Sequence, residues 1–240
     1  MLVSRKSARF SPSSSVVYAV SCSAAFRAVT RDLVSSVFMI YIFDLDGTLY
    51  NKKGLKIRMI LRSLQAKHPI SMLAMERSSR REISGIDTGN ITYETLFEKM
   101  ASRSGKSIES VRAWYESWYM PTMVDEIRRH FPLRPGIKQC LEGFKAKGDR
   151  MAILSDYGCI REKLDALGLD ASLFDELIDA PSIGGYKPAP TVFKKTLKIL
   201  GAEPQDCLMI GDRPERDGGS ERVGVRFLYI DDFMKFYVSK

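Results

Sequence analysis

The sequence predicts a doubly wound α/β fold, a three-layer parallel sheet with helices on both faces. Two observations carry that prediction and a third places the site. Short apolar runs of strand length recur near residues 38–44, 150–154, 175–179, 206–210 and 225–230. Stretches with helical spacing near 136–147, 160–168 and 189–200 separate the later runs, and Gly201 suits a helix C-cap. Strands that alternate with helices in this way pair in parallel through right-handed crossovers. Several of the runs also end in polar residues, and open α/β sheets bind ligands beyond the carboxyl ends of their strands.

The first run, Val37 to Phe43, leads into Asp44-Leu45-Asp46-Gly47-Thr48. Gly47 marks the loop. A regular strand would point Asp44 and Asp46 to the same face, an approximate guide because the strand breaks at Gly47. Two carboxylates at the end of a buried strand repel each other and lose hydration. A divalent cation or a proton would relieve both penalties. The pattern suits a metal-assisted site with one nucleophilic carboxylate and one acid/base; the plainer reading is a solvated acidic turn. Three later segments favour the first. Met151–Leu154 runs into Ser155 and Asp156. Gly184-Gly185-Tyr186-Lys187-Pro188 sets one lysine in a Gly/Pro loop. Cys207–Ile210 runs into Gly211-Asp212-Arg213 and reaches Asp217.

In this order, DLDGT at 44–48, Ser155, Lys187 and GDRPERD at 211–217 resemble the four motifs of the haloacid dehalogenase superfamily of hydrolases, in its phosphatase form. The likeness runs from roughly residue 39 to the C-terminus, apart from the middle segment. It implies a Rossmann-like core and a catalytic set of Asp44, Asp46, Ser155 and Lys187. Asp44 matches the nucleophile, which attacks phosphorus and forms an aspartyl-phosphate. Asp46 matches the general acid that protonates the leaving oxygen and then the base that activates water. Family members that process carbon–halogen bonds lack an aspartate there, so Asp46 disfavours dehalogenation. Ser155, Lys187 and the backbone amides around Gly47, Thr48 and Asp156 would hold the phosphate. Asp44, the Asp46 carbonyl and Asp212 would ligate Mg²⁺, which favours oxygen donors, and Asp217 would orient a ligand or water. Arg213 and Arg216 read as structural or solvated. Two other activities fit the same residues: a phosphomutase acting on a sugar phosphate, and a non-catalytic phosphate-binding regulator.

Between Tyr50 and Phe131 strand signals give way to helical ones. Leu55–Lys67 carries apolar residues at Leu55, Met59, Ile60 and Leu64. Thr92–Ser102 carries Leu96, Phe97 and Met100. After a weak capping box at Ser107, a helix is expected through Val111, Trp114, Tyr115, Trp118 and Tyr119, ending at Pro121. The placement resembles the family's helical cap, giving a cap over 54–130 and a catalytic core over 39–53 and 131–240. Trp114 and Trp118 lie on one helix face, and read as cap core rather than a platform for stacking substrate.

Residues 51–118 hold thirteen basic and seven acidic residues, within a chain of net charge +8. A cap of that charge could draw in anionic substrates, or the charges could simply be solvated helix faces. A recognisable nucleic-acid-binding motif is missing, so nucleic acid is not an expected partner; a small phosphorylated substrate is. With 240 residues and 45% hydrophobic content, the chain can bury a sizeable core. Cys22, Cys140, Cys159 and Cys207 lack CxxC spacing, and His68 and His130 are the only histidines, which disfavours zinc and disulfide frameworks. Apolar runs fall short of the ~20 residues that span a bilayer. A cytoplasmic monomer or homodimer is expected. Residues 1–38 hold ten serines, five basic residues and one acid. They read as an extension outside the fold, either from a start assigned upstream of Met39 or as an organellar targeting segment.

Overall fold

The computed structural model describes residues 39–238. The reading of residues 1–38, and Cys22 with it, lies outside the described residues. One parallel sheet contains β1 (Ile40–Phe43), β2 (Arg150–Ser155), β3 (Glu176–Asp179), β4 (Cys207–Gly211) and β5 (Arg226–Tyr229), in the order β3-β2-β1-β4-β5. Each strand falls on a predicted run.

β1 is apolar throughout because both of its faces are covered. Ile40 and Ile42 pack with Ala152, Leu154 and Met209 under the helix Pro190–Leu200. Tyr41 and Phe43 face the other way, with Met151, Ile153 and Ile210. There Tyr41 stacks on Phe144 at 4.1 Å between ring centres, on the helix Ile137–Ala146. The third core helix, Ile160–Ala166, follows β2. β1 pairs with β2 on one side and β4 on the other. The chain therefore reverses direction across the sheet between β1 and β4, which brings the ends of those two strands side by side at a switch point.

Five helices lie between β1 and the core helix Ile137–Ala146: α1 (Leu55–Gln65), α2 (Ile70–Ile83), α3 (Tyr93–Ser104), α4 (Ile108–Trp114) and α5 (Met120–His130). Their core, including Leu96, Phe97, Met100, Val111 and Tyr119, is continuous with the Tyr41–Phe43 face of the sheet. Trp114 is buried, and Trp118 is half-buried against His68, 4.5 Å away.

The expected stop at Pro121 does not occur. A π-helical turn over Tyr115–Tyr119 joins α4 to α5, and Pro121 sits in the first turn of α5. A proline is tolerated where its missing N–H has no required partner, and a π turn shifts the hydrogen-bond ladder at this point. Ser107 does cap α4, its Oγ accepting from the Ser110 amide at 3.2 Å. The reciprocal capping box is instead at Thr92 and Thr95 on α3. α2 eludes hydrophobic periodicity because its buried positions include Glu76, Ser79 and Arg80.

Much of the positive charge in this segment is paired within it. Arg58 and Arg62 meet Glu126 and Asp125, Lys99 and Arg103 meet Glu82, and Arg112 meets Glu94. Among the described residues, Cys140, Cys159 and Cys207 are free thiols, and no helix is long and apolar enough to cross a membrane.

Candidate active site

The two aspartates of the first motif lie just past β1. The Asp44 amide donates to the Ile210 carbonyl at 2.8 Å, clipping the strand end to β4. The turn closes at Gly47, whose φ of 108° lies in the region that only glycine adopts without strain. Both carboxylates are buried, and their partners are separate. Asp44 Oδ1 accepts from Lys187 Nζ at 2.7 Å and Oδ2 from Thr48 Oγ1 at 2.9 Å. Asp46 Oδ1 accepts from the Tyr50 hydroxyl at 2.7 Å and Oδ2 from Lys163 Nζ at 2.7 Å. Burial pushes the Asp44 carboxyl up, but Lys187, Lys52 and Arg213 outweigh it and hold that group below its ordinary value. Burial, together with Asp46, pushes the Tyr50 hydroxyl well above its ordinary value, so it remains a proton donor.

Ser155 ends β2. Its Oγ donates to the Tyr157 carbonyl at 2.8 Å, accepts from the Tyr157 amide at 3.1 Å, and lies 3.5 Å from Asp46 Oδ2. Asp156 ties two loops together: Oδ1 accepts from the Lys187 amide at 2.9 Å, and Oδ2 pairs with Arg216 at 3.2 Å. Arg216 is thus structural rather than solvated. Lys187 is fully buried, with Nζ 2.7 Å from Asp44 Oδ1, 2.7 Å from Asp217 Oδ1 and 3.0 Å from the Leu154 carbonyl. Burial alone would lower its pKa; Asp217, Asp44 and Asp156 together raise it and keep the ammonium charged.

Asp212 follows β4, beside Asp44. Its Oδ2 meets Lys52 Nζ at 2.7 Å, while the buried Oδ1 has no hydrogen-bond partner. Asp217 accepts from the Arg213 amide at 3.0 Å through Oδ2. Burial and the Asp44 charge raise the pKa of Asp212, and of Asp217 against the opposing pull of Lys187. Asp44, Asp212 and Asp217 can each bring one oxygen within 4.8 Å of the others. Oxygen-only donors, a carboxylate oxygen without a partner and a cationic Lys52 Nζ already against Asp212 fit a hard divalent cation. Asp217 lies in this acidic cluster with its oxygens against Lys187 and the Arg213 amide. The Asp46 carbonyl, expected as a metal ligand, accepts from Lys52 Nζ at 2.6 Å.

Several side chains at the site have no motif to announce them. Tyr50 and Lys163 hold Asp46, and Lys52 bridges Asp46 to Asp212. From α2, buried Arg80 donates through Nε to Glu76 at 2.6 Å, through Nη1 to the Asp156 carbonyl at 2.7 Å and through Nη2 to the Tyr115 hydroxyl at 3.0 Å. Its guanidinium also lies 4.1 Å from the Tyr157 ring centre and 5.1 Å from that of Tyr186. In sequence, Arg80 sits within Glu76-Arg77-Ser78-Ser79-Arg80-Arg81 and reads as one more solvated charge.

Residues 38–219 match the family model described as haloacid dehalogenase-like hydrolase. The chain belongs to the haloacid dehalogenase-like hydrolases. It is 27% identical to a phosphoglycolate phosphatase of Aquifex aeolicus, over 78% of this chain and 82% of that one. It is 29% identical to a phosphoserine phosphatase of Thermus thermophilus over 58% of this chain, spanning 54% of that relative's length. Among solved structures, a 2-haloacid dehalogenase from Pseudomonas syringae superposes with a TM-score of 0.56 at 20% identity, covering 80% of this chain and 86% of that one. A predicted phosphoglycolate phosphatase from Haemophilus somnus gives 0.55 at 21% identity, covering 81% and 85%. At these identities the structures bear on the fold alone.

Proposed function

We propose that this protein is a Mg²⁺-dependent phosphatase that hydrolyses a small phosphorylated metabolite through an aspartyl-phosphate on Asp44. The observation that carries the reading is the division of labour between Asp44 and Asp46. Asp44, held below its ordinary pKa beside Lys187, is an ionised carboxylate suited to attack. Asp46 lies two residues on, with its own donors in Tyr50 and Lys163, and is suited to handle the proton of the leaving oxygen and then of the attacking water. The phosphatase names of the relatives support the same reading.

In the proposed mechanism Lys187 neutralises charge on the nucleophile and on the transferring phosphoryl group. Ser155 and the amides near Gly47, Thr48 and Asp156 serve the equatorial oxygens. Asp44, Asp212 and the Asp46 carbonyl, with Asp217 close by, would hold Mg²⁺, which neutralises phosphate charge when bound. Residues 54–130 act as the cap over a core of 39–53 and 131–240. Asp44, Asp46, Ser155 and Lys187 are buried, so substrate entry requires the cap to move.

The test is hydrolysis of a generic aryl phosphate, followed by a panel of phosphorylated metabolites. Asp44→Asn should abolish turnover while leaving the circular dichroism spectrum and melting curve intact, and EDTA should remove activity that Mg²⁺ restores. Turnover by Asp44→Asn near the wild-type rate would sink the mechanism. Release of an isomer instead of free phosphate from a sugar phosphate would make the enzyme a mutase.

A further inference from the structure

Lys52 lies outside the four motifs, yet its Nζ is 2.6 Å from the Asp46 carbonyl and 2.7 Å from Asp212 Oδ2. Those are two of the oxygens that the proposed function assigns to Mg²⁺. We infer that Lys52 is a tethered cation that competes with the divalent metal for these oxygens, so that metal binding requires its side chain to leave. The inference rests on the Mg²⁺ reading of this site.

Three features support it. The first is charge. Asp44 and Asp217 share Lys187, Asp46 has Lys163 and Asp156 has Arg216. Asp212 has Lys52 as its close partner, with Arg213 Nε farther off at 3.7 Å. A single ammonium leaves Asp212 Oδ1 without a hydrogen bond, where a divalent ion would be better matched. The second is space. The turn at Gly47 is folded around this cation: a Cβ there would lie 2.6 Å from Lys52 Nζ and 2.7 Å from Asp212 Cγ. Mg²⁺ needs its oxygens at about 2.0–2.1 Å, and two cations on the same oxygens repel one another. The third is an exit. The Lys52 side chain is 34% exposed, whereas those of Lys163 and Lys187 are sealed at 0%. Lys52 also sits two residues before Gly54, whose φ is 95° at the start of α1. It can therefore swing into water without unpacking a core, and it does so at the junction between the catalytic loop and the helical segment.

Mg²⁺ titration by calorimetry on the full chain, without substrate, tests this. Lys52→Met removes the competitor, and Lys53→Met removes the same charge from the exposed neighbour. Lys52→Met should bind Mg²⁺ about tenfold more tightly if the lysine-out arrangement holds about one-tenth of wild-type molecules. Lys53→Met should stay within about twofold of wild type, because bulk electrostatics alone then changes. Should Lys52→Met fail to fold, Lys52→Gln gives the same comparison, keeping a donor but not the charge. Equal or weaker binding by the Lys52 variant, or an equal gain in Lys53→Met, overturns the inference and leaves the Mg²⁺ reading standing. Absence of Mg²⁺ binding in every variant overturns both.

Discussion

Lys163 Nζ lies 2.7 Å from Asp46 Oδ2, and the lysine is completely sealed from solvent. A buried ion pair is costly to break from one side, because the remaining charge is stranded. Lys163→Met should therefore lower unfolding stability by roughly 3–5 kcal/mol, read from denaturant midpoints. It should also loosen the carboxylate proposed to serve the leaving group. That loss should be graded: up to about 10²-fold in kcat for an alkyl phosphate, whose leaving oxygen needs a proton, and much less for a nitrophenyl phosphate. Equal losses on both substrates would mean that Lys163 supports the fold and nothing more.

Arg80 joins the helical segment to the catalytic loop through its bond to the Asp156 carbonyl, and Glu76 satisfies its charge at 2.6 Å. Both side chains are buried. Arg80→Met should cost roughly 3–5 kcal/mol by leaving Glu76 unpaired. Adding Glu76→Gln should recover a substantial part of that, since the stranded charge is gone. A double variant no more stable than Arg80→Met would show that the cost comes from lost packing against Tyr157 and Tyr186 instead.

Gly47 and Gly105 form a matched pair for separating strain from crowding. Both have positive φ, 108° and 67°. A Cβ at Gly105 would meet nothing within 4 Å, whereas one at Gly47 would meet the Asp212 carboxylate. Gly105→Ala should cost only the strain, about 1–2 kcal/mol, with activity intact. Gly47→Ala should add displacement of Asp212 and lower kcat by about 10²-fold, the scale of a misplacement of about 1 Å at a reacting centre. Thermal melts and turnover measured side by side would check the pair, and wild-type kcat in Gly47→Ala would refute the crowding argument.

The contrast between Lys187 and Lys163 explains what was legible in the sequence. Lys187 stands in a Gly/Pro loop between two strand ends, so local punctuation betrays it. Lys163 lies inside a helix with ordinary neighbours, and only the packing of Ile160–Ala166 against α5 and β3 turns it toward Asp46. The central strands β1, β2 and β4 were legible because a strand covered on both faces is apolar nearly throughout, as Ile40–Phe43 is. α2 was not, because Glu76 and Arg80 satisfy each other and so let a buried face look solvent-exposed in sequence. Pro121 misled for a related reason: a helix break is a local rule, and the π turn before it is set by packing of Tyr115 and Tyr119.

Asp175 precedes β3 and fastens it to β2, with Oδ2 accepting from the Met151 amide at 2.8 Å and Oδ1 meeting Lys145 at 3.2 Å. Burial would raise its pKa, but the Met151 amide and Lys145 hold it below the ordinary value. The unfolded chain therefore takes up this proton more readily than the folded one. The stabilising contribution is complete above the ordinary aspartate value of about 3.9 and is lost as pH falls through the lower folded value. Asp175→Asn keeps the shape and an acceptor but cannot titrate. Its stability near neutrality should lie below wild type by up to about 1 kcal/mol, since the charge is partly exposed and screened. As pH falls below about 4 the wild type should lose stability more steeply, so that the two curves converge. Urea midpoints across that range decide it: parallel curves would mean that Asp175 carries no share of the acid sensitivity.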